Sequence, residues 1–372
     1  MKQKLLTYIT YQTFPAETAN SLQTISNIKY FVKNGYAVSL YFPLRDKLSS
    51  DNINEISRYY SVDENFELVG LKHNMPFGKI KFFKPLWFHI SHFLWSKKNV
   101  KNILKSTKND QIYFTRSDWV LYFLAKKNKH VVFECHQISK IRNLILKSVS
   151  KKKNVKVIFV NEKLQEYFTH LNLNSIVLHS GVDTDLFLES DTFKKDKKKV
   201  VFVGNLLRFG KTRDLDFIIN AFTKYDDLKD YTLEIIGGPK KEAEKLIHSL
   251  KEKNIKNISI TGRLDRKNTI KKIQESSIGI LINSDESIHS TEFTSPLKYF
   301  EYIYADLSVV AVDFPSHRML PHSERIKYFP IGNFDEFIKS ILTSNLEIKK
   351  FDLTDISLDY RVKKIIKFIE NN

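Results

Sequence analysis

Residues 4–42 read KLLTYITYQTFPAETANSLQTISNIKYFVKNGYAVSLYF. Residues 4–10 are an apolar run of strand length. Leu22, Ile25, Ile28 and Val32 then recur at helical spacing, and Gly35 is a natural helix stop. Residues 36–42 are strand-like again. Strand, helix and strand in one short stretch predict a βαβ unit, and repeated units of this kind build a parallel sheet covered by helices on both faces.

The alternation continues outward. Strand-like runs fall at 111–115, 130–135, 155–160 and 175–179, with helical patterns at 118–127 and 162–171. Residues 188–199 are charged and contain Lys194-Lys195-Asp196-Lys197-Lys198-Lys199, which reads as a linker. Beyond it the strands are 200–204, 231–236, 258–262, 278–284 and 308–314. The helices are 214–225, 240–253, 267–275, 296–304 and 334–343. The expected architecture is α/β, with two Rossmann-like domains, 1–187 and 200–350, facing each other across a cleft. A last helix pattern in 351–372 has no strand after it and is expected to pack back on the first domain.

A chain of 372 residues fits two domains. With 42% apolar and 27% charged residues, it is neither disordered nor fibrous. The longest uncharged aromatic run, 85–96, is too short to span a bilayer. The N-terminus lacks the apolar core of a signal peptide. Cys135 is the only cysteine, which excludes an intramolecular disulfide and a cysteine-clustered zinc site. A cytoplasmic location is expected. The net charge of +18 favours anionic partners, although a lysine-rich composition alone also produces it. Helix-turn-helix, zinc-finger and RNA-recognition signatures are missing, so nucleic acid is not an expected partner.

Ligands of open parallel sheets bind at the carboxyl ends of strands, where turns lead into helix N-termini. No G-x-G-x-x-G, Walker loop, H-E-x-x-H or G-x-S-x-G occurs, which disfavours dinucleotide oxidoreductases, P-loop ATPases, zinc proteases and α/β-hydrolases. Two turns stand out. In 204–213, Gly204 and Asn205 precede Arg208, Lys211 and Arg213, a set of cations suited to a pyrophosphate. The same turn also reads as a solvated basic loop. In 295–301, Ser295 is expected at the N-cap and Pro296 at the first helical position. The free amides of Ser295, Leu297 and Lys298 then form an anion site, and Glu301, under two turns in, suits the two hydroxyls of a ribose.

The run 295–313, SPLKYFEYIYADLSVVAVD, resembles the nucleotide-sugar motif of the GT-B glycosyltransferases of group 1, family 4. The turn from Val203 to Arg213 is similar to that family's phosphate loop, and counting back from Ala221 and Phe222 favours Arg213 for its lysine position. His179-Ser180-Gly181-Val182-Asp183 with Phe187 resembles the interdomain segment, and Thr261-Gly262-Arg263-Leu264 a strand end. Phe14 to Thr24 resembles the first loop and helix of members with polymer or lipid-linked acceptors. Thr115-Arg116-Ser117 and Glu134-Cys135-His136 resemble further strand ends. The family often pairs two glutamates eight residues apart. Here the earlier position is Phe293, with Glu292 one residue off, so only Glu301 carries over.

The resemblance implies transfer of a sugar from a nucleotide diphosphate donor, with retention, to a saccharide or lipid-linked saccharide acceptor, in bacterial cell-surface polysaccharide synthesis. Arg208, Lys211 and Arg213 would stabilise the leaving diphosphate. Gly204, Asn205, Arg263, Ser295, Pro296, Leu297, Lys298 and Glu301 would hold the donor. Glu17, Asn20 and Arg116 would serve the acceptor, and His136 would position acceptor or donor sugar, oriented by Glu134. No cofactor or metal is expected, because no D-x-D pair stands in a suitable loop. A GT-B epimerase or phosphorylase, or an inactive GT-B scaffold, is the alternative. Residues 76–98 mix Phe, Trp and Lys in the manner of an interfacial element. Trp87, Phe88, Phe93, Leu94 and Trp95 are the expected anchors at an anionic membrane surface, on the cytoplasmic face; a core helix with a basic flank is the other reading.

Overall fold

Val131-Val132-Phe133-Glu134-Cys135 and Ser308–Val312 are buried at every residue, as strands covered on both faces must be. Each lies inside a parallel sheet. The computed structural model describes residues 3–77, 84–107, 111–187, 194–208, 211–212, 214–344 and 352–371. It divides into two units, Met1–Leu178 with Leu358–Asn372, and His179–Ser357.

The first unit runs β1 (Lys4–Ile9), α1 (Ala19–Lys33), β2 (Tyr36–Leu44), α2 (Ile53–Tyr60), β3 (Glu67–Lys72), α3 (Lys84–Ser106), β4 (Ile112–Thr115), α4 (Asp118–Lys126), β5 (Val131–Cys135), α5 (Lys140–Val149), β6 (Val155–Phe159), α6 (Glu162–Tyr167) and β7 (Ser175–Val177). Its seven parallel strands take the order β3-β2-β1-β4-β5-β6-β7. The order reverses between β1 and β4, so the carboxyl ends of those strands flank the switch-point crevice.

The second unit runs β8 (Lys199–Val203), β9 (Leu207–Arg208), β10 (Lys211–Thr212), α7 (Leu215–Lys224), β11 (Thr232–Ile236), α8 (Lys240–Glu252), β12 (Ile258–Gly262), α9 (Arg266–Gln274), β13 (Ile278–Leu281), α10 (Ile288–Glu292), α11 (Leu297–Tyr304), β14 (Ser308–Val312), α12 (Pro315–Arg318), β15 (Ile326–Phe329) and α13 (Phe334–Leu342). Its main sheet has the order β12-β11-β8-β13-β14-β15, with the switch point between β8 and β13. β9 and β10 form a separate antiparallel hairpin.

The last helix, α14 (Leu358–Glu370), belongs to the first unit. Its Leu358, Val362 and Ile365 are buried with Leu6, Ile28, Phe31 and Phe114. The units divide at Leu178/His179 rather than across 188–199. Val182 and Leu186, four residues apart, are buried in the second unit's core with Val201 and Tyr299. The Val182 amide donates to Ile356 O at 2.9 Å, so both crossing segments are pinned within that unit. Residues 194–199 pack against the second unit as well: Lys195 Nζ donates to the carbonyls of Ala305 and Asp306 at 2.7 Å each, and Lys199 opens β8. Residues 188–193 lie outside the described residues.

Candidate active site

In the second unit, three strand ends meet through glycines. The Gly204 amide donates to Ile236 O (2.9 Å), the Leu206 amide to Gly238 O (2.7 Å) and the Gly237 amide to Gly262 O (2.7 Å). Gly204 has φ +150°, and a Cβ on Gly237 would lie 1.8 Å from Gly204 O. Neither position admits a side chain without moving backbone. Gly237 and Gly238 escaped the sequence reading because they match no spaced motif. Asn205 and Arg263 are brought together here, Arg263 Nη2 donating to Asn205 Oδ1 at 2.8 Å. The backbone then turns through the β9–β10 hairpin, in which Arg208 pairs with Lys211. The side chains of these two, and the whole of Arg213, lie outside what is described.

α11 begins one residue later than expected. Pro296, extended at φ −75° and ψ 124°, is the N-cap, Leu297 is the first helical residue, and no side chain caps the helix. The Ser295 hydroxyl instead accepts from the Ser180 amide at 2.8 Å, and Ser180 Oγ donates to Ser295 O at 2.8 Å. The backbone of the 179–183 segment claims the serine and ties its motif to that of 295–301. The N-cap Pro296 supplies no capping side chain, and the helix dipole favours an anion at this end of α11. Lys298 Nζ lies 4.1 Å from the centroid of the Phe202 ring, a cation–π contact with β8. Tyr302 accepts from the Val203 amide at 2.9 Å, and its ring fills the space a side chain on Gly279 would need. These contacts fix α11 against the end of β8.

Glu301 is buried, and Arg266, the first residue of α9, donates from Nη2 to its Oε1. Asp265 caps that helix by accepting from the Asn268 amide at 2.8 Å, which sets where Arg266 emerges. Arg266 was no part of the expected donor site. The position eight before Glu301 is Phe293, which is buried.

In the first unit, the Tyr11 amide at the end of β1 donates to Ser117 Oγ (2.9 Å) after β4, across the switch point. Arg116 donates to Asn20 O (3.2 Å) and Gln23 Oε1 (3.5 Å), and its Nε lies 3.6 Å from Glu134 Oε1. Arg116 and Asn20 are thus joined, but the Arg116 side chain is little exposed and engaged within the fold. Glu17 is exposed on the loop before α1.

Glu134 and His136 share one side of the β5 end, and His136 Nε2 bonds Glu134 Oε1. Glu134 Oε2 accepts from Arg361 Nη2 of α14 at 2.9 Å, and Arg361 Nη1 donates to Asn27 Oδ1 at 3.2 Å. Burial alone would raise the Glu134 pKa. Arg361, the His136 contact and Arg116 outweigh it and hold the carboxyl well below its usual range. Burial, then Arg116, push the His136 imidazole pKa down to about 3 against the pull of Glu134, which favours the neutral ring. Arg142 donates to Gln137 O at 2.6 Å and pairs with Asp118 through both carboxylate oxygens, holding the loop after His136. Arg361 was not legible as a site residue, since it stands 227 positions from Glu134.

The expected membrane anchors mostly point inward. Trp95 is 3% exposed, Phe93 packs on Trp119 and Phe123, and Phe88 meets Tyr11 edge-on. The Tyr11 hydroxyl bonds His73 Nε2 and Ser91 Oγ, both at 2.7 Å, so the inner face of α3 is fixed to the β1 end. Of the expected anchors Leu94 is exposed, and Leu86 and Ile90, two turns and one turn earlier, join it on the outer face. Residues 78–83 of this segment lie outside the described residues. Among the described residues no helix is long and apolar enough to cross a membrane.

Residues 197–344 match the family model of the group 1 glycosyl transferases. No curated protein matches the chain significantly by sequence. Among solved structures, a glycosyltransferase from Rickettsia africae ESF-5 is similar over 100% of both chains at 16% identity, TM-score 0.64. A trehalose-6-phosphate protein from E. coli bound with UDP-2-fluoro glucose covers 99% of each chain at 11% identity, TM-score 0.63. WaaG, a glycosyltransferase involved in lipopolysaccharide biosynthesis, covers 99% of this chain and 100% of its own at 11% identity, TM-score 0.62. The match to the group 1 glycosyl transferases covers residues 197–344, and the two parallel α/β units have the GT-B fold of these solved glycosyltransferase structures.

Proposed function

We propose that the chain moves a sugar from a nucleotide diphosphate donor, with retention at the anomeric carbon, to a saccharide or lipid-linked saccharide acceptor in bacterial cell-surface polysaccharide synthesis. The observation that carries this reading is α11. Its uncapped amides suit a diphosphate, and Glu301, oriented by Arg266, suits a ribose on the same helix. The neighbour bound with UDP-2-fluoro glucose, and the one described as acting in lipopolysaccharide biosynthesis, support the donor and acceptor classes.

The leaving group gains negative charge as the glycosidic bond breaks. Cations of the 204–213 turn and the α11 amides stabilise that charge without reorganising. The acceptor hydroxyl passes its proton to a donor phosphate oxygen, so no protein base is consumed. His136 positions the sugar through its imidazole. Protein cations take the place of a metal, so transfer persists in excess chelator; loss in chelator with rescue by Mg²⁺ or Mn²⁺ would refute this. Nucleotide release from labelled donor, dependent on acceptor, tests the reaction. A binding protein without transfer is the second reading, favoured by Phe293 at the earlier glutamate position. Donor binding with no release would decide for it.

The reading includes a peripheral place on the cytoplasmic membrane face. Residues 84–153 carry sixteen Lys and Arg against three Asp and Glu, a net +13 of the chain's +18. Asp118 and Glu134 are paired with buried arginines, and Asp110 lies outside the described residues. α3 packs on α4 and α4 on α5, and this layer exposes Leu86, Ile90, Leu94 and Leu144 beside Lys97, Lys98, Lys101, Lys140 and Lys147. Each such lysine contributes about 1 kcal/mol at an anionic surface. The attraction is screened within about 8 Å at physiological salt. Sedimentation with anionic liposomes falls steeply as salt is added, and the double substitution Leu86→Ser with Ile90→Ser weakens what persists at high salt. Equal binding to neutral and anionic liposomes, or none to either, would reject the docking.

A further inference from the structure

We propose that Arg361, delivered by the C-terminal helix α14, is a positioning residue for His136, acting through Glu134. The inference rests on His136 serving the reacting sugars, as read above. Glu134 is wholly buried on a central strand, where an unpaired carboxylate is strongly disfavoured. Its Oε2 is held by Arg361 at 2.9 Å, whereas Arg116 approaches Oε1 only to 3.6 Å. Arg361 is therefore the close guanidinium partner of Glu134.

The consequence falls on His136. An ionised carboxylate only accepts hydrogen bonds, so the His136 Nε2 that contacts Oε1 carries the ring proton. Nδ1 is then the unprotonated nitrogen of a ring whose side chain is 26% exposed. That nitrogen can accept from a sugar hydroxyl. The charged and titratable groups facing the pair are Arg116 after β4, Tyr8 of β1 and Arg361 of α14. Without Arg361, Glu134 keeps only the more distant Arg116 as a guanidinium partner and draws a second proton onto His136. The imidazolium has no acceptor nitrogen. The Asn27 contact fixes the guanidinium plane from α1, so a helix more than two hundred residues away in sequence sets the tautomer at the β5 end.

The test uses the full chain. 15N NMR of the histidine rings in wild type is expected to show His136 as the neutral Nε2–H tautomer at pH 7. An Nδ1–H tautomer or an imidazolium would overturn the proposal, and this readout stands whether or not sugar transfer is detected. Arg361→Gln is expected to lower kcat about tenfold or more, the loss of one hydrogen bond at the sugar. Donor affinity stays unchanged, and the acid limb of the kcat profile moves to higher pH, because His136 protonates more readily. Arg361→Lys restores part of kcat. Wild-type kcat and pH profile in Arg361→Gln would overturn the assignment. If Arg361→Gln does not fold, Arg361→Lys and the wild-type tautomer decide it.

Discussion

Glu134 in the first unit and Glu301 in the second are both buried carboxylates paired with an arginine from another element. Their settings differ. Glu134 has no exposed side-chain surface, and both oxygens are engaged, by Arg361 on one side and by His136 and Arg116 on the other. Glu301 has one arginine, on Oε1, and both partners reach solvent, at 6% and 17% exposure. A fully enclosed carboxylate organises its neighbours. One whose side chain and arginine partner both reach solvent is better placed to meet a ligand. Glu234 on β11 is an internal control: it is buried with Lys199 at 2.7 Å, Lys272 at 3.3 Å and Thr261 at 3.0 Å, a structural ion cluster.

The comparison breaks most readily on stability. Glu134→Ala removes the buried carboxylate that faces the buried Arg361 guanidinium, and should cost about 3–5 kcal/mol in urea unfolding. Glu301→Ala leaves Arg266, which is partly hydrated, and should cost only about 1–3 kcal/mol. Equal losses would mean that Glu301 is as structural as Glu134.

Acid provides a gentler test. Burial depresses His73, His92 and His136 in the first unit, and His317 in the second. For each, the unfolded chain binds a proton near pH 6.5 that the folded chain refuses. Stability from these groups is therefore complete above about pH 6.5 and declines as pH falls. The Glu134 contribution follows below the ordinary carboxylate range, by the same sign. The first unit carries more such groups, so hydrogen exchange at pH 5 against pH 7 should show its protection falling first. Earlier loss in the second unit would contradict this distribution of charge.

The alternation of strand and helix was legible because central strands such as Val131–Cys135 are covered on both faces and read as unbroken apolar runs. The edge strands were not. Glu67–Lys72 has charged, exposed ends, and Ile326–Phe329 is four residues long with an exposed lysine. Glu301 was legible from its place in a helix that starts at a proline. Its partner Arg266 was not, because the pair forms across 35 residues and two helices, where no local spacing applies. Arg361 reads in sequence as one cation on an amphipathic helix, and only the return of α14 to the first unit buries it. Trp95 shows the converse: an aromatic–lysine mixture suits an interface, but its indole closes the core beside Tyr11. Ser295 precedes a helix, yet the amide of Ser180 takes its hydroxyl.

The central claim is that the second unit binds a nucleoside diphosphate through Glu301. Titration calorimetry of UDP, GDP and ADP into wild type, Glu301→Ala and Glu134→Gln, each checked for folding by circular dichroism, tests it most directly. At least one nucleotide should bind wild type. Glu301→Ala should weaken it by about 1.5–3 kcal/mol, roughly tenfold to a hundredfold, while Glu134→Gln leaves it unchanged. Equal affinity in wild type and a folded Glu301→Ala variant would contradict the account.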